Sequence, residues 1–137
     1  MANYYSKGRT NHFAVKDPEA FQAEVTPLVE EGEVIREERD GVDGFVLLFS
    51  EGIPTQVWNP EDEEADEPME IDWVSLISGH LADGEVCVIQ EIGWERLRYL
   101  TGYAVAFNNK GEKENINIYN IYDQAKELGT RITQAEY

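Results

Sequence analysis

The segment "FVLLFS" at 45–50, entered through "DGVDG", is apolar on both of the faces that an extended strand presents. Alternate side chains of a strand point to opposite sides, so such a run asks for cover on both sides and for flanking strands. The preceding residues 33–39, "EVIREER", reach it across a turn at 40–44 rich in Gly and Asp. Together they read as a β-hairpin whose second strand lies inside a sheet.

The remaining patterns supply the partners. "TNHFAV" alternates, with Asn11, Phe13 and Val15 on one side and His12 and Ala14 on the other, which predicts a strand over 9–15. In "KDPEAFQAEV", Asp17 suits an N-cap, Pro18 the first helical position, and Glu19 the positive end of the helix dipole. Phe21, Val25 and Leu28 form its buried stripe, and Pro27 ends the regular helix near Thr26. In "IDWVSLISGHLADG", Ile71, Val74, Ile77 and Leu81 fall at helical spacing, with Asp72 as the cap and Gly84 as the C-terminal stop. "EVCVIQEIGWE" predicts a buried strand over 85–92, and "RLRYLTGYAVAFNNKGE" a strand over 96–108 that turns back onto "NINIY". "YNIYDQAKELG" reads as a short helix capped by Asn120 and stopped by Gly129, and 130–137 as a loose tail.

The order is β-α-β-β-α-β followed by β-β-α. Its first six elements are those of the split βαβ, or ferredoxin-like, motif. The expected fold is therefore a single α+β domain over 1–137: an antiparallel sheet with two helices on one face, extended by a C-terminal β-β-α unit. An acidic insertion occupies about 59–72.

Charge limits the partners. The chain carries 28 acids against 11 bases, a formal net charge of −17. An aromatic content of 11% and abundant Val and Ile argue for a folded domain despite the self-repulsion. Direct binding to nucleic acid or anionic lipid needs clustered Lys and Arg, which here are scattered. The expected partners are cationic: a metal ion, a basic protein, or the nucleic-acid groove of another protein. Neither a signal-peptide core nor a membrane-length apolar run occurs, so the expected location is cytoplasmic. Cys87 is the single cysteine, within the apolar "EVCVIQ", and reads as a buried inert thiol.

No catalytic or metal pattern emerges. There is no G-x-S-x-G, P-loop or G-x-G-x-x-G, and the two histidines, His12 and His80, are far apart in the chain. An enzyme on this scaffold would need a concave pocket with His12 or His80 beside a carboxylate. One cysteine and two distant histidines do not make a zinc site. "NPEDEEADEPME" lacks the central glycine of an EF-hand loop and contains Pro68, so no metal or other cofactor is expected.

That stretch is the strongest functional signal. Glu61, Asp62, Glu63, Glu64, Asp66, Glu67, Glu70 and Asp72 follow one another without a Lys or Arg. Extended at roughly 3.3 Å per residue, they would be spaced about one charge per 5 Å. Wound as a helix at roughly 1.5 Å per residue they would reach about one per 2 Å, close to the roughly one per 1.7 Å of duplex DNA. Pro60 and Pro68 forbid one continuous helix, so a DNA-like density needs a compact arrangement and acids from elsewhere. Glu30, Glu31, Glu33, Glu37, Glu38, Asp40 and Asp43 form a second acidic belt, partly offset by Arg36 and Arg39. Trp58 and Trp73 flank the first stretch, where Trp58 is placed to anchor an interface and Trp73 to join the core. Competing readings are a solubilising acidic loop, and recognition through the sheet or through Tyr99, Tyr103, Tyr119 and Tyr122, including pairing with a second copy.

"ERLRYLTGYAVAFNNKGE" with "IYDQAKELG", and also "NYYSKGRTNHFAVKDPEAF" and "ISGHLADGEVCVIQEIGWERLRYL", resemble small acidic proteins of plasmids, prophages and integrative elements that have ferredoxin-like domains. The resemblance covers most of the chain except 53–69. It implies a non-enzymatic mobile-element accessory protein that binds and inhibits a host nucleic-acid-binding or defence protein. Several anti-restriction and anti-CRISPR proteins are acidic DNA mimics of this kind. The resemblance carries no catalytic residues.

Overall fold

The computed structural model describes residues 4–29, 31–57, 69–95 and 99–133. Strands β1 (Tyr4–Thr10), β2 (Gly32–Arg39), β3 (Val42–Phe49), β6 (Cys87–Glu95), β7 (Tyr99–Phe107) and β8 (Lys113–Asn117) form a six-stranded open sheet. Its order is β2-β3-β1-β6-β7-β8, with every neighbouring pair antiparallel. Helices α1 (Pro18–Val25) and α2 (Trp73–His80) join one core with it, and α3 (Ile121–Ala125) follows β8. The short strands β4 (Gln56–Val57) and β5 (Met69–Glu70) pair separately. The chain is thus α+β, and among the described residues no helix is long and apolar enough to cross a membrane.

Local signals explain most elements. The Asp17 side chain accepts from the Ala20 N–H at 3.2 Å and Pro18 opens α1, which passes into a 3₁₀ turn at Thr26–Leu28 where Pro27 is placed. Asp40 and Gly41 both take left-handed backbone angles, with φ of 53° and 79°. Two such residues close the tightest hairpin, so pairing resumes at Arg39↔Val42 instead of beyond Gly44.

Several expected boundaries shift; α3, for one, ends at Ala125 and not at Gly129. The first strand is Tyr4–Thr10, not 9–15, because "YYSKGR" finds a full partner in β6. Phe13 and Val15 make only isolated bridges, to Phe45 and Leu81. Between Arg9↔Leu48 and Phe13↔Phe45 the first segment holds one residue more than β3, a bulge. Gly84 does not stop α2: the helix ends at His80, and Leu81 turns extended to bridge Val15. Asn117, not Asn120, caps the turn before α3, while Asn120 accepts back from the Asn117 N–H.

The pleat sorts the side chains. Phe45, Leu47 and Phe49 of β3 lie with Ile89, Phe107, Phe21, Val25, Trp73 and Ile77 in the core under the helices. The expected double cover of β3 holds at Val46, which is 2% exposed on the other face, but Leu48 is only half-buried. On that second face Glu33, Leu48, Arg9, Gln90, Ala104 and Ile116 form one row across the sheet.

At the bulge the buried Thr10 replaces a missing ladder bond. Its Oγ1 accepts from the Leu47 N–H at 3.0 Å and donates to the Asn11 carbonyl at 2.9 Å. A Thr10→Val variant leaves that buried N–H unsatisfied and is expected to lose about 1–3 kcal/mol of stability. Thr10→Ser, which keeps the hydroxyl, should recover most of it. Urea unfolding of the two variants measures the difference.

Candidate protein-binding surface

Of the acids expected to act together, Glu30, Glu61, Asp62, Glu63, Glu64, Asp66 and Glu67 lie outside the described residues, as does Trp58. The chain that carries most of them is attached at Val57 and Met69, which pair with each other. Glu70 ends β5 and is exposed. Asp72 caps α2: its Oδ1 accepts from the Ser75 N–H at 3.2 Å and its Oδ2 from the Ser75 hydroxyl at 2.8 Å. Those bonds hold its carboxyl below the usual carboxylate range.

The second belt does not form one charged face. Along β2 the pleat puts Glu33 and Glu37, opposite Leu48 and Gly44, on the side away from the helices. Glu38 falls on the helix side with Arg36, which approaches Glu19 of α1 at 3.4 Å. Arg36 also donates to Asp43 at 2.8 Å, and Arg39 pairs with Glu37. The hydrogen bonds from Arg36 hold the Asp43 carboxyl below its ordinary range and the guanidinium above its own. Glu31 precedes β2, where its carbonyl accepts from Ser50, and Asp40 occupies the hairpin turn. The belt is therefore split by the sheet and partly neutralised.

The fold brings a different set together. Glu24 of α1, Glu70 and Asp72 surround a shallow depression of about 500 Å³ whose floor is Leu28, Ile71 and Leu76. Glu24 also meets His80 of α2, Oε2 to Nε2 at 2.8 Å. Sequence reasoning missed Glu24; the available signal was its position between the buried Phe21 and Val25 and the Pro27 turn, at the edge of the α1 stripe. The depression lies beside the helix layer, where the described chain resumes after residue 68.

The other candidates are placed as follows. His12 bonds through Nε2 to the Glu37 carbonyl at 2.9 Å and packs over Gly44. His80 has a carboxylate beside it in Glu24, but the described residues lining the depression include no histidine. Trp73 joins the core, its indole N–H donating to the Pro54 carbonyl at 2.6 Å. Cys87 is fully buried, and burial pushes its thiol pKa up. Tyr119 stacks on Tyr122 at 6.4 Å, whereas Tyr103, opposite Glu91, lies on the helix-side face of β7. The backbone of Tyr99 pairs with Glu95. Among the described residues no three His, Cys, Asp or Glu are placed to hold a metal ion.

An Asp72→Ala variant removes the α2 cap and is expected to lower stability by about 1 kcal/mol at neutral pH. Because the folded carboxyl titrates below its unfolded value, that contribution is present above the unfolded pKa of about 4 and disappears as pH falls through the lower folded value. The gap between Asp72→Ala and the parent should therefore close in acid, as followed by thermal unfolding from neutral to low pH.

No family model matches the chain, and neither a curated protein nor a solved structure does.

Proposed function

We propose that this is a non-enzymatic accessory protein of a mobile genetic element that binds a host nucleic-acid-binding or defence protein through its acidic surface and blocks it. The observation that carries the reading is the convergence of Glu24, Glu70 and Asp72 where the acidic stretch joins the helix layer. Acidic residues from two separate parts of the chain line one depression together with the apolar Leu28, Ile71 and Leu76, which suits a partner offering both cations and hydrophobic contacts. The net charge of −17 directs encounter toward basic proteins and away from nucleic acid. Glu70 and Asp72, the described acids that end the stretch, line this depression beside the helix layer and not β2.

The fold is read as ferredoxin-like. In support, the strands β2-β3-β1-β6 have the antiparallel order of a split βαβ unit, and α1 and α2 share one face of it. The hairpin of β7 and β8 then extends the sheet beyond the motif.

Capture of host proteins on the immobilised chain tests the function. The expected captives are DNA- or RNA-binding proteins, released by added duplex DNA and by raising salt from about 50 to 500 mM. Changing Glu61, Glu63, Glu64 and Glu67 to Gln should weaken capture and flatten its salt dependence. Capture that is indifferent to salt, to duplex DNA and to those four changes would sink the reading.

A further inference from the structure

The sheet face opposite the helices holds an open groove of about 750 Å³ beside β1, β3 and β6. Leu48 and Ile92 supply apolar wall, and Ile92 is 58% exposed. Lys7 and Arg9, two residues apart on β1, stand on this same face, with Ile92 and Gln90 as their partners on β6. Lys7 Nζ donates to the Ser50 carbonyl at 3.2 Å and Arg9 Nε to the Thr10 carbonyl at 3.2 Å. Among the described residues neither makes an ion pair, although the chain has 28 acids against 11 bases.

The geometry points to a binding site for a small amphipathic anion, a carboxylate with an apolar body, whose acid group pairs with Lys7 and Arg9 and whose body lies over Leu48 and Ile92. The volume is within the roughly 300–1,000 Å³ of small-molecule sites, and apolar walls with a few convergent polar groups are their usual construction. A guanidinium and an ammonium on one wall match a carboxylate. Size discriminates among anions. The screening length at physiological salt is about 8 Å, so a single carboxylate at the pair responds mainly to those two cations. Glu33 lines the far side of the groove, two strands from Arg9 or roughly 10 Å at ordinary strand spacing. It confines the acid group to the β1 side. A nucleic acid extends over many screening lengths and meets the net charge of −17.

Titration of the full chain with decanoate, followed by amide NMR shifts, tests the site, with decylamine as the probe of opposite charge. Saturable decanoate shifts are expected at Arg9, Leu48, Gln90 and Ile92, with decylamine binding more weakly. The Lys7→Gln/Arg9→Gln double variant should bind decanoate about tenfold more weakly or worse. Arg9→Lys, which keeps the charge, should retain most of the affinity, and the amide spectra report whether each variant is folded. The proposal fails if decylamine binds equally well, if the double variant binds undiminished, or if decanoate shifts no groove residue. It fails equally if ultracentrifugation shows a dimer that Ile92→Glu, on this face, dissociates.

Discussion

Phe21 is the contact on which the layered arrangement depends. It is fully buried on α1, and its ring meets Phe45 of β3 at 4.8 Å, Phe13 at 5.7 Å and the His80 ring of α2 at 5.2 Å. One side chain thus holds together both helices, the central part of the sheet and the segment that follows the bulge. Burying a side chain of this size stabilises by roughly 1.5–3 kcal/mol before the edge-on ring contacts are counted. A chain with a net charge of −17 repels itself when it compacts, and the core that opposes this is built of uncharged residues, with Arg36 at its border over the Phe45 ring.

Placing both helices on one side of an antiparallel sheet has a further consequence. The helix side gathers carboxylates, because α1 and the entry to α2 carry Glu24, Glu70 and Asp72 to a common edge. The opposite side keeps Lys7 and Arg9 on β1 within a partly apolar surface. That side also carries Glu33 and Glu37, so the two sides differ by the basic pair and not by a lack of acids. The proposed basic partner is assigned to the first, and the proposed amphipathic anion to the second.

Elements whose cause is local were legible in the residues. Asp17 and Pro18 begin α1, Asp72 caps α2, and both roles need only a side chain within reach of the next turn. The hairpin at 40–41 was legible as well, although the turn is tighter than the Gly-rich run suggested. The first strand was misplaced by several residues because its true extent follows from pairing with β6, some eighty positions away in the chain. Gly84 looked like a helix stop, yet the α2 end is set by Leu81 bridging to Val15. Each miss is a case in which a distant partner outweighed local propensity.

The acids show the same division. Composition determined that the protein is acidic, and residue order that Lys and Arg are scattered and that acids concentrate at 61–72 and 30–43. Only the tertiary structure decided which of them meet. Strand alternation sends neighbouring carboxylates of β2 to opposite sides of the sheet, and Arg36 and Arg39 draw Asp43, Glu19 and Glu37 into ion pairs. Glu24, unremarkable in the chain, is brought by helix packing against His80 and lines the same depression as Glu70 and Asp72. Charge content is a sum over residues and can be read in any order, whereas a charged surface depends on which residues the backbone brings within a few ångströms.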